Sequence, residues 1–192
     1  KTFLKNTTVD VTKEKVEKIE SNEKDYHTYQ GLEDTDAMSD EVLAKKILAC
    51  EQPMTLMYLC RCICVHRGTA RVTSSLVASV KDIADRLLFV QEIGNSTILW
   101  TDKACADSFS GYRQAHGRDI TEIPLIEIMN AIILTVREQL SIKTDALTLL
   151  VAKRLGFSRR GSKVDQALKE GLEALLRSKS ILETDGFVRL PE

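Results

Sequence analysis

The sequence predicts a mainly helical α+β chain built from two copies of one small domain in tandem. Three observations carry this. Slid by 88 residues, the second half lays its apolar skeleton on the first without a gap: Met54 on Ile142, Leu59 on Leu147, Ile63 on Val151, Leu76 on Val164, Val80 on Leu168, Leu87 on Leu175, Leu88 on Leu176 and Ile93 on Ile181. Gly68 meets Gly156 and Arg71 meets Arg159, while few other residues match, so a packing pattern has been kept. Each half closes on a turn dipeptide between strand-like runs, Gly94-Asn95 and Asp185-Gly186. The spacing is too long and the copies too few for a solenoid. A feature present in one copy and absent from the other is not required by the fold.

Taken in order, residues 1–37 are polar and charged and read as a linker or the tail of a missing upstream domain. Lys13 to Glu23 offers a solvated helix with only Val16 and Ile19 to bury, and Tyr26 and Tyr29 are candidate anchors. The first domain is placed at 38–102. Ser39 caps a helix carrying Val42, Leu43, Ile47 and Leu48, which Pro53 ends. A second helix carries Leu56, Leu59, Cys60 and Ile63 and stops at Gly68, a C′ glycine. Ser74 caps a third, with Leu76, Val80, Ile83, Ala84, Leu87 and Leu88 inward. The period then changes, and Val90–Ile93 and Thr97–Trp100 flank a turn. Residues 103–121 form a connector, an ordered loop or short helix. The second domain, 122–192, repeats the order: Ile126 to Val136, a helix capped by Thr144 or Asp145 and stopped at Gly156, a third helix capped by Ser162 with Val164, Leu168, Leu172, Leu175 and Leu176 inward, and a hairpin of Ile181–Thr184 and Phe187–Leu190. Three helices closed by a two-stranded hairpin is the order of a winged helix, in which helices two and three form the helix-turn-helix. Two tandem winged helices are the predicted architecture.

Net charge is −1, which argues against a uniformly basic nucleic-acid coat. The total hides a gradient: residues 1–51 sum to −4 and residues 143–190 to +4. Five cysteines, an odd number, and no leader pattern lead to the expectation of reduced thiols and a cytoplasmic protein. No apolar run approaches the roughly 20 residues that span a bilayer, so no membrane partner is expected. A start at Lys1 rather than Met reads as a piece of something longer.

No motif supports an active site. A Gly-rich phosphate loop is absent, and His27, His66 and His116 lie in different segments. No catalytic residue or cofactor is expected. Cys60-x-Cys62-x-Cys64-x-His66 invites a zinc reading. On a helix, however, alternate residues spread over two faces, and the second copy holds Thr148, Leu150, Ala152 and Arg154 there. The favoured reading is cysteine as a small core residue, with no metal.

The basic cluster is Lys153, Arg154, Arg159, Arg160 and Lys163, spanning the end of helix two, the turn and the start of helix three. In a helix-turn-helix this region lies on the phosphate backbone, and helix-three amides add to the attraction, with Ser158 and Ser162 as further donors. Copy one is thinner, with His66, Arg67 and Arg71. Other readings stand beside this one: a solvated surface turn, or Arg71 and Arg159 pinning the turn to a helix end. The exposed face of helix three mixes Asp165, Lys169, Glu170, Glu173 and Arg177, and that of copy one Ser79, Lys81, Asp82, Asp85 and Arg86, which is poor for reading bases. Arg159-Arg160-Gly161-Ser162 matches a basic-directed kinase pattern, although capping explains Ser162 better.

Ile123-Pro124-Leu125-Ile126-Glu127-Ile128, then Glu138-Gln139, then Arg154-Leu155-Gly156-Phe157-Ser158-Arg159-Arg160-Gly161-Ser162, resemble an uncharacterised domain at the carboxy end of large bacterial proteins. Those proteins resemble superfamily-one DNA helicases, often with a nuclease-like segment. Glu51-Gln52-Pro53-Met54 resembles the same family's Glu-Gly-Pro-Ile element, with Gln52 in place of Gly. The resemblance spans about residues 39–190. It implies the accessory tail of a DNA-processing motor, partnered by the parent's helicase and nuclease domains, and carries neither activity to this chain. The expectation is a non-catalytic module that contacts DNA backbone through Arg159, Arg160, Lys163, Lys153 and Arg154, with lesser help from Arg71 and Arg67. The alternative is a protein-docking or dimerisation module, with Trp100, Ile98 and Phe187 as contact candidates, although a core role is favoured for each. A cryptic enzyme is a third reading without support in the sequence.

Overall fold

The computed structural model describes residues 38–191; the readings of 1–37, including the Lys13–Glu23 helix, Tyr26, Tyr29 and His27, lie outside them. The protein is α+β, with seven α-helices and two three-stranded sheets among the described residues. They divide into two compact units, one of 38–92 with 96–109, the other of 93–95 with 110–191.

In the first unit, α1 (Asp40–Cys50) starts where Ser39 accepts from the Val42 amide, and ends before Pro53. Leu43, Ile47 and Leu48 are fully buried, whereas Val42, expected in the same stripe, is exposed. Strand β1 (Met54–Thr55) leads into α2 (Leu56–His66), capped by the Thr55 hydroxyl. Helix α3 (Ser74–Leu87) runs into β2 (Phe89–Ile93) and β3 (Ser96–Trp100). Its cap is Thr73, not Ser74: the Thr73 hydroxyl accepts from Leu76 N–H, which leaves Ser74 as the first helical residue. Leu43, Ile47, Leu59, Ile63, Val80, Ile83 and Leu99 close one core, each buried aliphatic chain contributing about 1.5–3 kcal/mol. A short helix, α4 (Lys103–Ser108), follows β3.

The second unit holds a 3₁₀ turn (Ile120–Glu122), α5 (Leu125–Gln139), β4 (Ser141–Lys143), α6 (Thr144–Arg154), α7 (Ser162–Arg177), β5 (Leu182–Thr184) and β6 (Phe187–Arg189). Leu125 to Val136 are all buried, so α5 is a core helix. Helix α7 approaches it closely at Gly171, where an added Cβ would stand 3.1 Å from Ile128. Capping again departs from expectation. Thr144 sends its hydroxyl to Glu183 and the Gly186 carbonyl instead, and Lys143 precedes α6 without a side-chain cap. Gly161, not Ser162, occupies the N-cap of α7, also without one.

Each unit orders its sheet with the last strand in the middle, β1-β3-β2 and β4-β6-β5. Met54 pairs with Leu99 and Ile142 with Val188, both antiparallel. The first strand of each trio was invisible in the sequence, because two or three residues are too few to show alternation. Met54 and Ile142 match at 88, but their partners Leu99 and Val188 are 89 apart, so the repeat drifts in the hairpin. Ile93 and Ile181 are accordingly not equivalent: Ile93 ends β2, while Ile181 precedes β5. The cause lies between helix and strand. One residue, Leu88, separates α3 from β2, whereas α7 is followed by residues 178–181.

Those four residues form a cap in which Lys179 adopts φ +57°, its amide donating to Leu176 and that of Ser180 to Leu175. Glycine takes this backbone conformation without the Cβ penalty. Lys179→Gly should therefore raise unfolding free energy by about 0.5–1 kcal/mol. Urea denaturation followed by circular dichroism checks this, and a loss of stability would contradict the cap geometry.

Candidate nucleic-acid interface

Helices α2 and α6 both stop as expected. Gly68 (φ +64°) and Gly156 (φ +87°) turn the chain. The amides of Gly68 and Thr69 return to Val65 and Cys64, and those of Gly156 and Phe157 to Lys153 and Ala152. Each turn delivers the chain to the next helix with its side chains outward, which is what gathers the cations.

Around the second unit's turn, Lys153, Arg159, Arg160 and Lys163 are exposed and Arg154 is half-buried. The five do not share one role. Arg154 folds back to clasp the Glu138 carboxylate on α5 through both terminal nitrogens. Arg160 Nε donates to Asp165 at 2.6 Å, and Lys163 Nζ to Asp119 at 3.2 Å. Lys153 and Arg159 make no ion pair among the described residues. In the first unit Arg67 is tied to Asp40 at 2.9 Å and to the Met38 carbonyl, and Arg71 is exposed with no ion pair among the described residues. The alternative reading, in which Arg71 and Arg159 pin the turns, finds no side-chain bond of either among the described residues. Arg67 and Arg154, at the ends of α2 and α6, do that work by reaching a carboxylate on helix one.

A groove of about 580 Å³ runs beside the start of α7, lined by Arg118, Asp119, Phe157, Ser162 and Lys163. Asp119 is its fixed negative charge. The Thr121 amide, the Thr121 hydroxyl and Lys163 hold its carboxyl down at about 2, so it stays ionised at every ordinary pH. An incoming anion must take Lys163 away from it.

The cysteines of α2 are core residues: Cys60, Cys62 and Cys64 are buried. Burial, then the neighbouring Cys64, push the Cys60 thiol up to about 11, so it remains protonated at neutral pH. Cys64 Sγ donates to the Arg71 carbonyl at 3.4 Å, tying the turn to the helix. Of the apolar contact candidates, Trp100 and Ile98 are buried and only Phe187 is exposed, beneath the Lys143 ammonium.

Sequence reasoning missed the most heavily bonded charges. Arg113 is 3 % exposed and Glu127 fully buried. Glu127 accepts the Arg113 amide at 2.7 Å and its guanidinium Nε at 3.1 Å, and Asn130 donates to the Gly111 carbonyl at 2.8 Å. The available signal was Glu127 and Asn130 standing inside an otherwise apolar helix. Asp119 and Glu122 form a capping box on the 3₁₀ turn, another pattern that was passed over.

No family model, curated protein or solved structure matches the chain. None of the α-helices among the described residues is long and apolar enough to cross a membrane.

Proposed function

We propose that this chain is a cytoplasmic, non-catalytic accessory module in which two tandem winged helices contact the DNA backbone, as part of a helicase- or nuclease-like parent. The order helix, short strand, helix, helix, hairpin in both units supports the winged-helix reading. The resemblance of the 123–128 and 154–162 segments supports the DNA-processing context. The observation that carries the reading is the crown of exposed cations on the α6–α7 turn, with Lys153 and Arg159 unneutralised and Arg160 and Lys163 held only by exposed carboxylates. Such surface pairs are worth about 0–1 kcal/mol, so a phosphate displaces them at little cost. Arg154 and Arg67 act as clasps and add field rather than contact.

Lys153, Arg159, Arg160 and Lys163 as phosphate ligands give a slope of log K against log salt of about −3 to −4. Fluorescence anisotropy with a labelled duplex at low salt measures it. Charge reversal at Arg159 and Arg160 should weaken binding at least tenfold, equally across sequences. Absence of any affinity at low salt would end this reading.

A second reading, a protein-docking module, is favoured by specific observations. Asp119, Asp165 and Glu138 neutralise much of the crown, the second hairpin carries Glu183 in β5 and Asp185 in its turn, and Leu140, Leu149, Leu150 and Phe187 are exposed.

A further inference from the structure

We propose that the exposed face of α6 pairs with the same face of a second copy of this chain, two helices crossing antiparallel about Leu149. A helix that packs on one side normally shows water its polar residues. Helix α6 instead exposes Ala146, Leu149 and Leu150 between Asp145 at its first turn and Lys153 at its last. Leu149 is 44 % and Leu150 37 % exposed.

The fold does not demand these leucines. The same positions of α2 in the first unit hold Arg61, exposed, and Cys62, buried.

The charges choose the occupant. Asp145 and Lys153 stand four residues before and four after Leu149 on one ridge of the helix. A two-fold axis through Leu149 therefore sets Asp145 of each copy opposite Lys153 of the other, with leucine against leucine at the centre. This is the self-complementarity that an isologous contact requires, and i±4 ridges are the commonest surface by which helices interlock. Helix α2 fails the same test: its ridge is Met57, Arg61, Val65, and a two-fold axis would oppose two guanidinium groups. One helix face covers less than the roughly 800 Å² per partner of a standard interface, so the association is weak and concentration-dependent.

Sedimentation equilibrium of the whole chain tests this, without nucleic acid because Lys153 is also assigned to DNA. The wild-type mass should climb from one protomer toward two as concentration rises. Asp145→Lys and Lys153→Asp should each weaken association at least tenfold by setting like charges opposite, and the double variant should restore it. Leu149→Arg, which gives α6 the residue that α2 already carries, should hold the chain monomeric with unchanged circular dichroism. A wild-type chain that stays monomeric, because residues 1–37 or nothing covers the face, overturns the proposal. So does association that ignores the single charge reversals, or a double variant that fails to recover it.

Discussion

Replacing Glu127 by alanine is expected to lower the unfolding free energy of the second unit by about 3–5 kcal/mol, because it removes the carboxylate that balances the Arg113 charge in a site closed to water. The pair is enclosed: Arg113 is 3 % and Glu127 0 % exposed, against more than half for Lys103 and Asp107. Glu127 also accepts the main-chain amide of Arg113, so its loss leaves a buried N–H unpaired, at a further cost of about 1–3 kcal/mol if no water enters. This separates the two halves of the pair. Arg113→Met leaves the carboxylate with that amide still in place, whereas Glu127→Met removes the acceptor of three donors, the amide and the guanidinium Nε and Nη2. The double methionine variant should recover part of either single loss, but not all, since the amide stays unsatisfied. Urea unfolding followed by far-UV circular dichroism reads both units, while fluorescence of the single tryptophan, Trp100, reports on the first, so a transition seen by dichroism and not by fluorescence belongs to the second. A shift below about 1 kcal/mol for Glu127→Ala would mean that the pair is solvated and the connector loosely held.

How far the sequence revealed this molecule depended on how local each signal was. Helix ends marked by Gly68 and Gly156 were readable because the left-handed turn there is a property of one residue. The hairpin turns were readable for the same reason. Caps were misplaced by one residue at Thr73 and Gly161, because Thr73-Ser74-Ser75 and Gly161-Ser162 offer neighbouring hydroxyls and only the backbone decides which precedes the helix. Strands β1 and β4 escaped notice since their identity lies in a partner more than 40 residues away. The cationic crown was found as composition and misjudged as chemistry. Nothing in the spacing shows that Arg154 turns back to Glu138, that Asp119 reaches Lys163 across 44 residues, or that Arg159 is left to solvent. Pairing at a distance belongs to the fold, and a charge count treats bound and free cations alike.

Trp100→Ala is the second large effect expected, about 3–5 kcal/mol from the first unit. As the largest apolar side chain of the hairpin, Trp100 is a contact candidate only in the docking reading, and a core role is the favoured one. The structure gives it that core role. It is 1 % exposed, its ring meets Phe109 edge-on at 5.2 Å, and its indole N–H donates to the buried Gln91 side chain at 3.1 Å. Removing it opens a cavity and leaves the Gln91 oxygen without this donor. Phenylalanine would restore most of the apolar volume and none of the hydrogen bond, so Trp100→Phe should lose about 1–3 kcal/mol. Gln91→Leu should lose a similar amount by orphaning the indole. The three variants form a graded series that a contact residue cannot produce. Were Trp100 a docking residue, alanine would leave the thermal midpoint in place and reduce only association. Circular dichroism, which does not need the deleted fluorophore, distinguishes the outcomes, and an unmoved midpoint would transfer Trp100 from the core of this unit to its surface.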